Sequence, residues 1–110
     1  MIDVTTRARV VVVLGRGSLH ADPGDWVATA KERDLPLLVL SMGFPVSDEQ
    51  QAFVARSIDR AFERRVHLDA LLVWDPKDLT DHVEPGDEIV VVAGGRDGKR
   101  IRSALGLGTS

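Results

Sequence analysis

The chain has 110 residues, 44% of them apolar, a formal net charge of −3 and no cysteine. That length supplies one modest hydrophobic core and not two, so residues 1–110 read as a single domain. The missing cysteines exclude disulfides and thiolate chemistry, and the negative balance excludes a surface built as a whole to attract nucleic acid.

The opening stretch MIDVTTRARVVVVLGRGS has an acid at Asp3 and one short apolar run. At about six residues this run is too short for a signal peptide's apolar region, and far short of the roughly 20 residues that span a bilayer. A cytoplasmic protein without membrane insertion is expected. The run itself, ARVVVVLG from Ala8 to Gly15, lacks polar alternation, as does a strand buried on both faces of a parallel sheet. A loop, GRGSLHADPGD, follows. Asp22 is a candidate N-cap with Pro23 in the first helical position, and a helix from Pro23 to Arg33 would turn Trp26, Val27 and Ala30 to one side.

LPLLVLSMG (Leu35 to Gly43) is the second apolar run. After it, SDEQQAFVARSIDRAFERR has the clearest helical pattern in the chain: Ser47 and Gln50 form a capping box, and Val54, Ile58, Ala61 and Phe62 recur at helical spacing as the expected inner face. Acidic residues open this helix and arginines close it, as the helix dipole favours. HLDALLVW (His67 to Trp74) is the third run, followed by a short helix beginning at Asp75 with Pro76 next and including Leu79 and Val83. EPGD then turns the chain into the fourth run, DEIVVVAGG (Asp87 to Gly95).

Strand and helix alternate throughout. Alternation of this kind implies right-handed crossovers and a doubly wound, Rossmann-like α/β fold: a parallel sheet of four strands in the order 3-2-1-4, with helices on both faces. That order would bring GRGSLHADPGD and GGRDGKR side by side at the carboxyl edge of the sheet, where such folds hold ligands.

Other chemistry is sparse. Ser18 lacks a strained G-x-S-x-G elbow, and His67 stands at a strand start as a structural residue. Asp75 and Asp78 read as helix caps, Trp26 and Trp74 as packing residues, and Met42 as a residue of the core edge. Binding groups are present without a nucleophile or a general base, which points to sensing or regulation and away from turnover. Nucleic acid is not an expected partner.

The closing stretch GGRDGKRIRSALGLGTS concentrates glycine and positive charge. Arg96, Lys99, Arg100 and Arg102 stand against one carboxylate, Asp97, and Gly95, Gly98, Gly108 and Thr109 give G-x2-G-x9-G-T. With the first glycine directly after a buried strand, this pattern resembles the nucleotide-binding signature of the universal stress protein superfamily, whose HUP-type fold has the same order of elements over essentially the whole chain. The resemblance implies an adenine nucleotide (ATP or AMP) or cyclic di-AMP, with magnesium where the nucleotide brings it. Gly95 and Gly98 would admit the phosphates, Lys99 and Arg100 would stand at the positive end of the following helix, and Gly108 and Thr109 would close the cradle. Arg16 and Ser18 would lie across the cleft; Arg16 occupies the place of an aspartate in ATP-binding members.

The superfamily also continues into a fifth strand, whereas this sequence ends at Ser110, so the fourth strand is expected to be an open edge through which a homodimer forms. Related domains occur as tails of bacterial transporters, which makes a transporter a candidate partner. A second resemblance covers the first loop alone: VVVLGRGSLHADPGD is similar to the opening of the sirohydrochlorin and cobaltochelatase group, with Arg16 in place of the metal-inserting histidine and His20, beside Asp22, as the substitute. A chelatase-like enzyme and a domain that only mediates interactions are therefore the alternatives.

Overall fold

The computed structural model describes residues 9–15, 24–43, 47–84, 86–93 and 95–106. Four strands, β1 (Val10–Leu14), β2 (Leu37–Met42), β3 (Leu68–Val73) and β4 (Glu88–Val92), form one parallel sheet in the order β3-β2-β1-β4. Val10 stands opposite Leu37 of β2 and Glu88 of β4, and Leu37 stands opposite Leu68 of β3. The fold class, strand order and parallel pairing are those expected from the alternation of apolar runs and helix signals.

The helices are α1 (Gly24–Arg33), α2 (Asp48–Arg64) and α3 (Gly95–Ala104), with a 3-10 helix at Pro76–Asp81 between β3 and β4. Successive strand residues point to opposite faces, so β1 serves two cores. Val10, Val12 and Leu14 meet Val27 and Ala30 of α1 and Phe53 and Ala61 of α2, while Val11 and Val13 meet Leu79 of the 3-10 helix and Ile101 of α3. Five consecutive buried residues without polar alternation are what a central strand covered on both sides requires.

Local signals set the helix starts. Ser47 accepts from the Gln50 amide while the Gln50 side chain accepts from the Ser47 amide, completing the expected capping box. Asp75 caps the short helix by accepting from Lys77 N–H at 3.0 Å, with Pro76 in its first turn; that helix is 3-10 in type. The candidate cap Asp22 and Pro23 lie outside the described residues. At the amino edge of the sheet, Arg9 donates to the Asp87 carboxylate at 2.9 Å and to the His82 carbonyl at 2.8 Å, and the Asp87 side chain is fully buried. This pair clamps the entry of β1 onto the turn that leads into β4.

Two expectations about burial are corrected. The inner face of α2 is Gln50, Phe53, Ser57 and Ala61, with Ile58 49% and Phe62 85% exposed. The cause is Gln50: its amide nitrogen donates to the carbonyls of Met42 (2.9 Å) and Leu14 (3.3 Å), which locks the helix rotation with position 50 inward. Ser57 can be buried there because its hydroxyl donates to the Phe53 carbonyl within the helix. Each residue turns about 100° around a helix, so Ile58 and Phe62 are carried to the outer side. The second correction concerns β3, which is apolar in sequence yet exposed from Asp69 to Leu72, and Trp74 beyond it is 63% exposed instead of packed. β3 is an edge strand, paired on one side only, and the inner face of α2 packs into the core it shares with α1, β1 and β2. Trp26, in contrast, packs as expected, with its ring 5.9 Å from that of Phe53.

Candidate functional site at the strand-order reversal

After β1 the chain crosses to β2 on one side; after β3 it returns across the sheet to β4 on the other side of β1. The carboxyl ends of β1 and β4 are therefore neighbours whose following segments leave toward opposite faces, which opens the crevice where doubly wound folds bind ligands. The Gly15 amide, one residue past β1, donates to the Val92 carbonyl at 3.0 Å, so the two strands stay paired up to the mouth of this crevice. On the β2 side, Gln50 ties the last carbonyls of β1 and β2 together.

Two glycines are dictated by packing here. A Cβ on Gly15 would stand 2.7 Å from the Ala93 Cβ, 2.9 Å from the Ile101 side chain and 3.2 Å from the Asp97 Cβ. A Cβ on Gly98 would stand 2.9 Å from the Ala93 carbonyl oxygen. Real side chains do not come so close, so both positions need glycine for α3 to lie against the strand ends. Gly98 is a buried residue within α3. On the side where a Cβ would stand, Gly98 meets the backbone at Ala93.

α3 begins at Gly95, two residues after Ala93, so its first N–H groups emerge at the crevice. Lys99 and Arg100 are exposed on its second turn, Arg96 is exposed in the first, and Asp97 is half-buried near Gly15. Of the expected site, then, Gly95, Gly98, Lys99 and Arg100 all lie on α3, whose Asp97 and Ile101 stand beside Gly15 at the end of β1. Arg16, Ser18, Gly108 and Thr109 lie outside the described residues, as do His20 and Asp22. Among the described residues no group of three or more histidine, aspartate or glutamate side chains could hold a metal ion, and no helix is long and apolar enough to cross a membrane.

The chain matches no protein-family model and no curated protein.

Three residues of this region were not singled out from the sequence as site residues. Gly15 and Ala93 have no side-chain chemistry to flag them, and their roles depend on the adjacency of β1 and β4. Gln50 was legible only as half of a capping box; its second pair of hydrogen bonds, to the ends of two strands, needs the tertiary fold. Met42, whose carbonyl receives one of them, is 6% exposed and closes the core edge as expected.

Proposed function

We propose that the chain is a small regulatory domain that binds an adenine nucleotide, either ATP or AMP, or a cyclic dinucleotide, at the carboxyl ends of β1 and β4. The observation that carries this reading is the close seating of α3 on Gly15, which sets the start of a ten-residue helix at the point where strand order reverses. The free N–H groups of such a helix start favour an anion, and Lys99 and Arg100 add positive charge one turn away. Asp97 in the same first turn favours a phosphate accompanied by magnesium over a bare one. The glycine-rich segment after β1, with Arg16 and Ser18, would form the opposite wall, and Gly108 with Thr109 would close over the ligand.

A role in sensing fits the chemistry present, since the described crevice offers donors and cations without a nucleophile beside a base. Isothermal titration with ATP, ADP, AMP and cyclic di-AMP, each with and without magnesium at moderate salt, tests it. Micromolar binding of one of them is the expected result; no heat from any of the four would overturn the reading.

A further inference from the structure

We propose that two copies of this chain pair antiparallel through β3, around a two-fold axis at Leu71, joining their sheets into one of eight strands. The five large apolar side chains exposed among the described residues are Ile58, Phe62, Leu71, Leu72 and Trp74, and all five belong to α2, β3 or the residue just after β3. None is on β4, the edge that the sequence pointed to. Between α2 and β3 runs a shallow groove of about 460 Å3 lined by Val54, Ala55, Ile58, Ala70 and Leu72. Exposed edge strands are ordinarily protected by charge, proline or a bulge. β3 has a single charge, Asp69, in its sequence LDALLV.

The backbone is arranged for pairing. Leu37 N–H bonds the His67 carbonyl and Gly43 N–H bonds the Val73 carbonyl, so odd positions of β3 turn their polar groups toward β2. Along a strand these groups alternate sides, so the N–H and C=O of Leu68, Ala70 and Leu72 point to the open edge. A strand that pairs antiparallel with its own copy must do so about an axis perpendicular to the sheet, which keeps equivalent faces together and allows only registers centred on a residue. Centring on Leu71 sets Ala70 opposite Leu72 of the second copy as a hydrogen-bonded pair with apolar side chains together, and places Leu68 opposite its Trp74. It also sets His67 opposite Asp75 of the second copy. Centring on Ala70 would instead bring Asp69 against Leu71.

Charge and area both select a second copy as the occupant. α2 has Asp48 and Glu49 in its first turn, and at its other end three arginines, Arg60, Arg64 and Arg65, outnumber Asp59 and Glu63, the latter paired with Arg60. The two-fold runs the two α2 helices in opposite directions, so the acidic end of each lies at the same end of the dimer as the basic end of the other. The exposed parts of the five apolar side chains amount to roughly 550 Å2 per copy, at about 200 Å2 for a whole side chain. The β3 backbone edge and the exposed Gln51, Ala55 and Ala70 extend this toward the roughly 800 Å2 per partner of a standard interface.

Light scattering on the size-fractionated protein at tens of micromolar, with Phe62→Glu and Leu72→Lys variants, tests the proposal. A dimer that both variants turn into folded monomers is expected; a monomeric native chain, or a dimer that survives both variants, overturns it. The register is read by single-cysteine variants, since the sequence has no cysteine of its own. Around an axis at Leu71, the two copies of that residue form a non-hydrogen-bonded pair about 4.5 Å apart between Cα atoms, within disulfide reach, whereas two copies of residue 70 lie beyond about 7 Å. Leu71→Cys should therefore cross-link on oxidation and Ala70→Cys should not. Cross-linking of Ala70→Cys, or of neither, overturns the pairing at Leu71.

Discussion

Gly15 and Ala93 lie so close that a single carbon added to the first would stand 2.7 Å from the Cβ of the second. This contact joins the ends of β1 and β4 at the candidate site. Gly15→Ala must push α3 outward, because the Ile101 side chain and Asp97 also crowd the position. Overpacking of this kind costs about 1–3 kcal/mol. Denaturant unfolding should show that loss, together with weaker nucleotide binding, as the start of α3 moves; a variant as stable as the native chain would show that α3 seats differently.

Gly98→Ala separates two opposing effects. Alanine improves intrinsic helix formation by about 1 kcal/mol over glycine, but its Cβ would press on the Ala93 carbonyl at 2.9 Å. Backbone cannot yield as a flexible side chain can, so a net loss of about 1–2 kcal/mol is expected. Gly98→Val should unfold a substantial fraction of the protein. Thermal unfolding measures both, and a stabilised Gly98→Ala would contradict the close packing of α3.

Gln50→Leu keeps bulk at the position while removing three interactions at once: the side-chain half of the capping box, in which it accepts from Ser47 N–H, and two donations to strand ends. Two of the groups left behind, the Leu14 and Met42 carbonyls, sit in the protein interior. A loss of about 2–4 kcal/mol follows from unsatisfied polar groups and a lost cap. Circular dichroism in denaturant checks it, and a change within about 0.5 kcal/mol would remove Gln50 from the account of how α2 is oriented.

Arg9→Met strands the buried Asp87 carboxylate. Its charged partner is lost, although the backbone N–H of residue 9 at 3.2 Å and Glu84 N–H at 2.9 Å still donate to it. Because the Arg9 side chain is 27% exposed, a cost of about 2–3 kcal/mol is expected, below the range for fully buried pairs. Arg9→Met with Asp87→Asn should recover part of it. Equal stability of the single and double variants would mean the charge at Asp87 is not what the arginine holds.

Lys99→Glu with Arg100→Glu reverses two exposed charges on the second turn of α3. Surface changes of this kind leave stability within about 0.5 kcal/mol, while the affinity for ATP should fall by roughly tenfold as attraction becomes repulsion at the phosphates. Titration at low and moderate salt reads it. Unchanged affinity would place the phosphates elsewhere on the chain.

Local patterns in the sequence determined a large part of this structure. Uninterrupted valine and leucine runs mark buried strands, Ser47 and Gln50 mark a helix start, Asp75 with Pro76 marks another, and their alternation leads to a parallel sheet with β1 and β4 adjacent. These features depend on neighbours along the chain, so they are legible without coordinates. The rotation of α2 and the exposure of β3 are not local. Val54, Ile58, Ala61 and Phe62 form as good a stripe as Gln50, Phe53, Ser57 and Ala61, and only the reach of Gln50 to two strand ends chooses between them. Likewise, LDALLV reads as an interior strand; its exposure follows from its place at the sheet edge, with a neighbouring strand on one side only. Gly98 shows the same division, because the spacing of glycines is visible in the sequence, but whether a glycine makes room for a ligand or for a neighbouring carbonyl is decided by what the fold places next to it.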